Sequence, residues 1–255
     1  MLWHKAWLET RWRFLIGLAL LTMSACGVVF AYPKVLELMP LVPAVDTGGP
    51  LGRRIREAAD LARNYRGYVW SQWFSQNLPQ AATLFAALLG TGGLLSRSAG
   101  SGVLFTLSLP TSRQRIVAVR AAAGLAELLV LIGVSTLALP LLSPAIGQHY
   151  SIADAVVHGA CQFIACAVFF SLAFLLSTVF GDLWRPLLLA CAVAVVLALG
   201  EQLFRDAAPY GLFGVMSGEH YFRTGGVPWL GLLASAAASA ALLVAAARNV
   251  ERQDF

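Results

Sequence analysis

Six stretches of the chain, each 18 residues or longer, are almost free of charge: 14–31, 78–95, 117–142, 156–180, 186–204 and 227–247. Runs of that length match the hydrocarbon thickness of a bilayer in helical conformation. The pattern therefore predicts an all-α, polytopic membrane protein with six transmembrane helices in one domain over residues 1–255. An even number of crossings puts both termini on one side. Prolines punctuate the predicted edges: Pro33 follows the first run, Pro79, Pro186 and Pro228 open three others, and Pro140 and Pro144 close the third. The first run is no cleavable signal peptide, because Pro33 and Glu37 follow it where a small-x-small pattern would be needed.

Between the runs, polar periodicity predicts three shorter elements. Leu2, Trp3, Trp7 and Phe14 share one helical stripe and Lys5, Glu9 and Arg13 another, the pattern of an N-terminal interfacial helix that feeds the first span. In the long connection 32–77, Ile55, Ala58, Ala59, Ala62 and Tyr65 alternate at helical spacing with Arg54, Glu57, Asp60 and Arg63. That predicts an external amphipathic helix ending on Trp70, Trp73 and Phe74 at the membrane boundary. Within the spans, Ala82, Ala86 and Gly90 form one small-residue ridge and Gly231, Ser235 and Ser239 another, which lets helices approach closely. The chain has no internal repeat.

Composition agrees: 58% of residues are hydrophobic and 12% charged, about half the charge of an ordinary soluble chain. Mean hydropathy is +0.72. The net charge is +5, and all but two of the cations are arginine. These cations sit between apolar runs rather than along one solvated face, which points to lipid headgroups and not to nucleic acid. With the N-terminus inside, ten Lys and Arg fall on inner segments and eight on outer ones. Without the long loop 32–77, whose cations lie mostly far from a span end, two outer cations remain, so both termini are read as cytoplasmic. Cys26, Cys161, Cys166 and Cys191 lie in apolar runs without a CxxC pair, and neither disulfides nor a metal site is expected.

The connection between the second and third runs carries more information. GVLFTLSLP is too short to cross a bilayer, mixes apolar with hydroxyl residues, and ends at Pro110 before Thr111, Ser112, Arg113, Gln114 and Arg115. This predicts a short cytoplasmic helix, broken at the proline, that re-enters the membrane near Ile116. Here the chain resembles the ABC-2-type permease family, the membrane subunits of ATP-binding-cassette exporters. In that family a leucine-rich stretch closing on P-x-S-R-x-R follows the second of six spans; Leu107, Leu109, Pro110, Ser112, Arg113 and Arg115 match it. The resemblance extends to span number, N-terminal segment and long first outer loop. It implies that the loop couples the spans to a separate ATPase subunit, with Phe105, Leu107 and Leu109 as apolar contacts and Arg113 and Arg115 as partners for carboxylates. It also implies a second permease copy or a homologous permease, export of a lipid, drug or other amphiphile, and a bacterial inner membrane.

No catalytic pattern accompanies these features. A phosphate-binding loop needs G-x-x-x-x-G-K-[ST], and neither Lys5 nor Lys34 follows a glycine. His4, His149, His158 and His220 form no HExxH, and no cofactor is expected. Four ionisable groups within or near spans stand out: Arg120 and Glu127 on one face of the third, His158 in the fourth, and Glu201 at the outer end of the fifth. Glu127 and His158 are expected to bond neighbouring helices, and Glu201 to meet water. Segment 205–226 is apolar enough to dip back into the membrane. Two other readings stay open, an ion-coupled secondary carrier and a non-transporting membrane scaffold.

Overall fold

A computed structural model describes residues 2–38, 59–91, 113–203 and 211–252. Every element among them is helical. Five helices are long and apolar enough to cross a membrane, over Ala6–Glu37, Gln114–Ile146, Ile152–Val179, Trp184–Leu203 and Trp229–Glu251. The molecule thus has the architecture of an integral membrane protein.

Helix α1 (Leu2–Leu38) has 37 residues, about 55 Å at 1.5 Å per residue. It absorbs the expected N-terminal interfacial helix without a break and continues through Pro33. The predicted external connection is correspondingly shorter, because 32–38 belong to α1 and the next continuous helical rod begins well before Leu78. Helix α2 (Tyr65–Val69), a π-helix (Trp70–Asn77) and α3 (Leu78–Gly90) follow one another without interruption, 5, 8 and 13 residues long. Together they form a rod of about 39 Å. The π-geometry has a local cause. Pro79 lacks an N–H and its ring crowds the carbonyl four residues back, so the preceding turns widen and the Leu78 N–H reaches the Trp73 carbonyl.

The expected amphipathic helix does not run into this rod. Residues 59–63 are helical, then Asn64 turns extended and its side chain accepts from the Arg66 N–H at 3.0 Å, capping α2. Gly67 lies so close under the Leu61 carbonyl that a side chain would overlap it. Trp73 and Phe74 are fully buried in the bundle rather than at its boundary. Residues 54–58 of that expected helix lie outside the described residues.

Helices α4 (Arg113–Leu142), α5 (Ile152–Val179), α6 (Trp184–Leu203) and α9 (Trp229–Glu251) complete the long elements. Pro140 lies inside α4, and a 3-10 turn, Ser143–Ile146, closes it. Two short helices, α7 (Leu212–Ser217) and α8 (Glu219–Thr224), form a hairpin that reverses at Gly218, whose φ of 62° suits a residue without a side chain. Helix α5 is the hub, packed against α3, α4, α6, α7 and α9, while α1 packs on α4. Both small-residue ridges face elements of the same chain, Gly90 and Ser239 against α5 and Gly231 against Val215 of α7. A side chain at Gly90 would strike the Phe170 carbonyl, and Ser239 bonds Ser171 at 2.6 Å and the Ala167 carbonyl at 3.2 Å.

Contacts sort the helix ends into two groups. At one end, called terminal below, Arg13 near the start of α1 reaches the end of α3, Gln114 of α4 bonds Glu251 of α9, and Asn249 bonds Thr178 at the end of α5. At the distal end, Tyr32 of α1 bonds the Arg63 carbonyl, Tyr65 bonds Ser143, and Trp70 bonds the Ser217 carbonyl.

Candidate functional site

Near the terminal end, α1 supplies one wall of a polar network and α4 the other. Thr10 donates to Glu127 Oε1 at 2.5 Å, and Glu9 pairs with Arg120 at 3.0 Å. A little over one turn of α1 thereby commits Glu9, Thr10 and Arg13 to partners on α4 and α3, where the sequence pattern assigns Glu9 and Arg13 to headgroups. Arg13 donates to the carbonyls of Leu88 at 3.3 Å and Thr91 at 2.5 Å, satisfying orphan acceptors at the end of α3. Glu127 is 6% exposed, and its second oxygen, Oε2, is buried without a hydrogen-bond partner. The expectation that Glu127 bonds a neighbouring helix holds; Thr10 is the partner that sequence spacing could not name.

Of the predicted coupling residues, Phe105, Leu107, Leu109, Pro110 and Ser112 lie outside the described residues. Arg113 is the first residue of α4, and Arg115 is exposed in its first turn.

The distal half of the bundle holds a second polar group. The Asp154 carboxylate, two residues into α5, pairs with Arg66 at 2.9 Å and accepts from the Tyr221 hydroxyl at 3.0 Å. That bond holds the Tyr221 phenol above its usual range. Arg66 lies over the Phe222 ring, and Phe222 stacks on Trp70 with 4.4 Å between centroids. One turn deeper, His158 is 1% exposed, with Nδ1 at 2.9 Å from the Asp154 carbonyl. A carbonyl only accepts, so Nδ1 carries the proton and Nε2 of the neutral ring presents a lone pair. Nε2 has no partner. Gln162, a further turn down the same face, is fully buried, and neither amide atom is bonded. The Tyr150 hydroxyl is also buried and unpartnered, its phenol pushed up by burial, and its ring and that of His158 both pack on Phe74. Of the polar members the sequence singles out only His158 as a candidate; Trp70 and Phe74 it reads as aromatics at the membrane boundary.

Glu201 does not face open water. Its carboxylate accepts from the backbone N–H groups of Phe213 (3.0 and 3.2 Å) and Gly214 (3.2 Å), tying the start of α7 to the end of α6. Helix α7 in turn buries Val215 and Met216, so segment 211–218 packs into the bundle while α8 stays more exposed. Glu201→Ala is expected to cost about 1 to 2 kcal/mol, the range of a lost helix cap. Hydrogen exchange should localise the change to the amides of 212–217, and unchanged protection there would contradict the tether.

Among the described residues no group of three or more His, Cys, Asp or Glu could hold a metal ion, and all four cysteines are free thiols. What the geometry offers is two buried hydrogen-bonding centres in an apolar helical bundle. No family model, no curated protein and no solved structure matches the chain.

Proposed function

We propose that this chain is the permease subunit of an ATP-binding-cassette exporter of the ABC-2 type, driven by a separate ATPase and moving a lipid, drug or other amphiphile. One observation carries the reading. The end of α3 and the start of α4 lie at the terminal end, beside the start of α1 and the end of α9. Arg113 and Arg115, in the first turn of α4, thus stand on the side of both termini, the arrangement that docking to a cytoplasmic ATPase requires. In this reading the α2–π–α3 rod is the sixth crossing, since its bonds to Ser143 and to Arg13 link the two ends of the bundle. The terminal end faces the cytoplasm, in a bacterial inner membrane, and the largely exposed α6, with Leu188, Val196 and Leu203, faces lipid or a second permease.

An ion-coupled carrier is the second reading, and the unpartnered Glu127 Oε2 deep in the bundle favours it. Purification from native membranes separates the two. The permease reading expects a stoichiometric ATPase to copurify, and the isolated chain to bind no ATP, because neither lysine can serve a phosphate loop. A chain that purifies alone and accumulates solute under a proton gradient is a carrier. One that does neither is a scaffold.

A further inference from the structure

Buried polar atoms in proteins are almost always hydrogen-bonded, and those within a membrane bundle that are not bonded to the protein mark ligand or ion paths. Around Phe74 and one turn further along α5, three side chains break the rule: His158 at Nε2, Gln162 at both amide atoms and Tyr150 at its hydroxyl. His158 and Gln162 are four residues apart on α5 and so share a face, and both the His158 and Tyr150 rings lie against Phe74, with centroids 4.6 and 6.3 Å away. Leaving a fully buried glutamine unpaired is costly, and leucine would fill a similar volume without that cost. Three such groups, joined through Phe74 on one side of His158 and the α5 face on the other, therefore point to a partner.

We infer that His158, Gln162 and Tyr150 form a binding site for an uncharged, hydroxyl-bearing headgroup, closed from the distal end by the α7–α8 hairpin. The chemistry follows from the free atoms. The His158 Nε2 lone pair accepts, Gln162 does both, and Tyr150 does both, which suits a group that donates and accepts at once. The charged groups that bear on His158 are Asp154 and Arg66, and these pair with each other. No unbalanced charge is left to recruit a phosphate, carboxylate or ammonium. Phe74 and Tyr221 pack on the His158 ring and Tyr150 on Phe74, so the surroundings of the imidazole are aromatic. The cover is equally specific. Gly218 at the hairpin reversal lies directly over the imidazole, so that a methyl there would come 3.1 Å from Cδ2 and 3.5 Å from Nε2. Two latches hold the hairpin, Tyr221 on Asp154 and the Trp70 indole N–H on the Ser217 carbonyl at 3.1 Å. An open cavity of about 260 Å³, bordered by Asp60, Asn64, Arg66 and Phe222, lies outside the latch.

The inference rests on the permease reading for its cargo, but its test does not involve the ATPase. Binding to a chain that lacks an ATPase would retain the site while removing that reading, so the two fail separately. The full chain in lipid nanodiscs is titrated with three dodecyl amphiphiles below their micellar concentrations: the maltoside, the trimethylammonium and the phosphate. Tryptophan fluorescence and native mass spectrometry report occupancy. Saturable binding is expected for the maltoside alone, weakened about tenfold or more in His158→Phe and Gln162→Leu. Because Gln162→Leu removes two unpaired atoms, its Tm should rise while binding falls, a combination that a purely structural glutamine would not produce. Equal binding of all three amphiphiles, or maltoside binding unchanged in Gln162→Leu, overturns the site. A lowered Tm in Gln162→Leu also overturns it, since the amide would then be satisfied by structural water alone.

Discussion

Gly90→Leu is expected to be among the most destabilising substitutions in the bundle, costing about 3 kcal/mol by overpacking. A Cβ at this position overlaps the Phe170 carbonyl and stands 3.0 Å from the Ala173 Cβ and 3.2 Å from the Phe174 N–H nitrogen. Two of those three neighbours are backbone atoms of α5, which cannot change rotamer to make room, so one helix must slide or tilt. Because α5 also carries α4, α7 and α9, the displacement spreads. The adjacent Arg13 bonds to Leu88 and Thr91 would be lost as α3 moves. Gly133→Ala supplies the contrast, for nothing lies within 4 Å of a side chain there. Removing a glycine from the middle of α4 should leave stability unchanged or raise it by about 0.5 to 1 kcal/mol. Thermal unfolding in one detergent compares the two. Equal melting temperatures would mean that α3 and α5 are not in contact at Gly90.

The second large effect concerns Arg113 and Arg115. If the start of α4 docks in an ATPase cleft, reversing both to Glu turns two cationic contacts into repulsion against acidic partner groups. Losing a desolvated charged hydrogen bond at an interface costs about 2 to 5 kcal/mol, enough to lower association by well over tenfold. Arg248→Gln and Arg252→Gln, at the end of α9, should cost far less. Since positive-inside topology also uses Arg113 and Arg115, insertion must be measured by cysteine labelling of the same sample. Normal topology with wild-type ATPase yield and transport would assign these arginines to the headgroups and remove the coupling role.

Where apolar runs were unbroken, sequence and structure agree to within a few residues, as for α5 and α6. The second run is less legible because the helical rod that holds it is not apolar throughout. Ser71, Gln72, Gln76 and Asn77 read as a membrane boundary, whereas the rod threads through them by π-helical turns, with Trp73 and Phe74 buried and Ser71 bonded back to the Tyr68 carbonyl. The N-terminal stripe misled in the opposite sense. The spacing of Glu9 and Arg13 on one face was legible, but their partners are Arg120 and the end of α3, and hydropathy carries no record of a pairing between distant segments. Glu127 and His158 stood out because charge or imidazole in a long apolar run is rare. Gln162 and Tyr150 did not, because their significance lies in an unmet hydrogen bond that only the fold shows.

The bond between Thr10 and Glu127 spans 117 residues of chain. At ribosomal rates of 5 to 20 residues per second, about 6 to 23 s separate the synthesis of its two ends. During that interval the first helix reaches the bilayer with Thr10 facing the future bundle, Glu9 unpaired, and no α4 to receive either. An early α1 must therefore either remain shallow, with its first turns in the aqueous vestibule of the insertion machinery, or be shielded there until α4 emerges. Birth order, as well as final packing, constrains the polar face of α1, and a ribosome stalled before residue 120 should yield a nascent chain whose N-terminal turns are still accessible to water-soluble reagents.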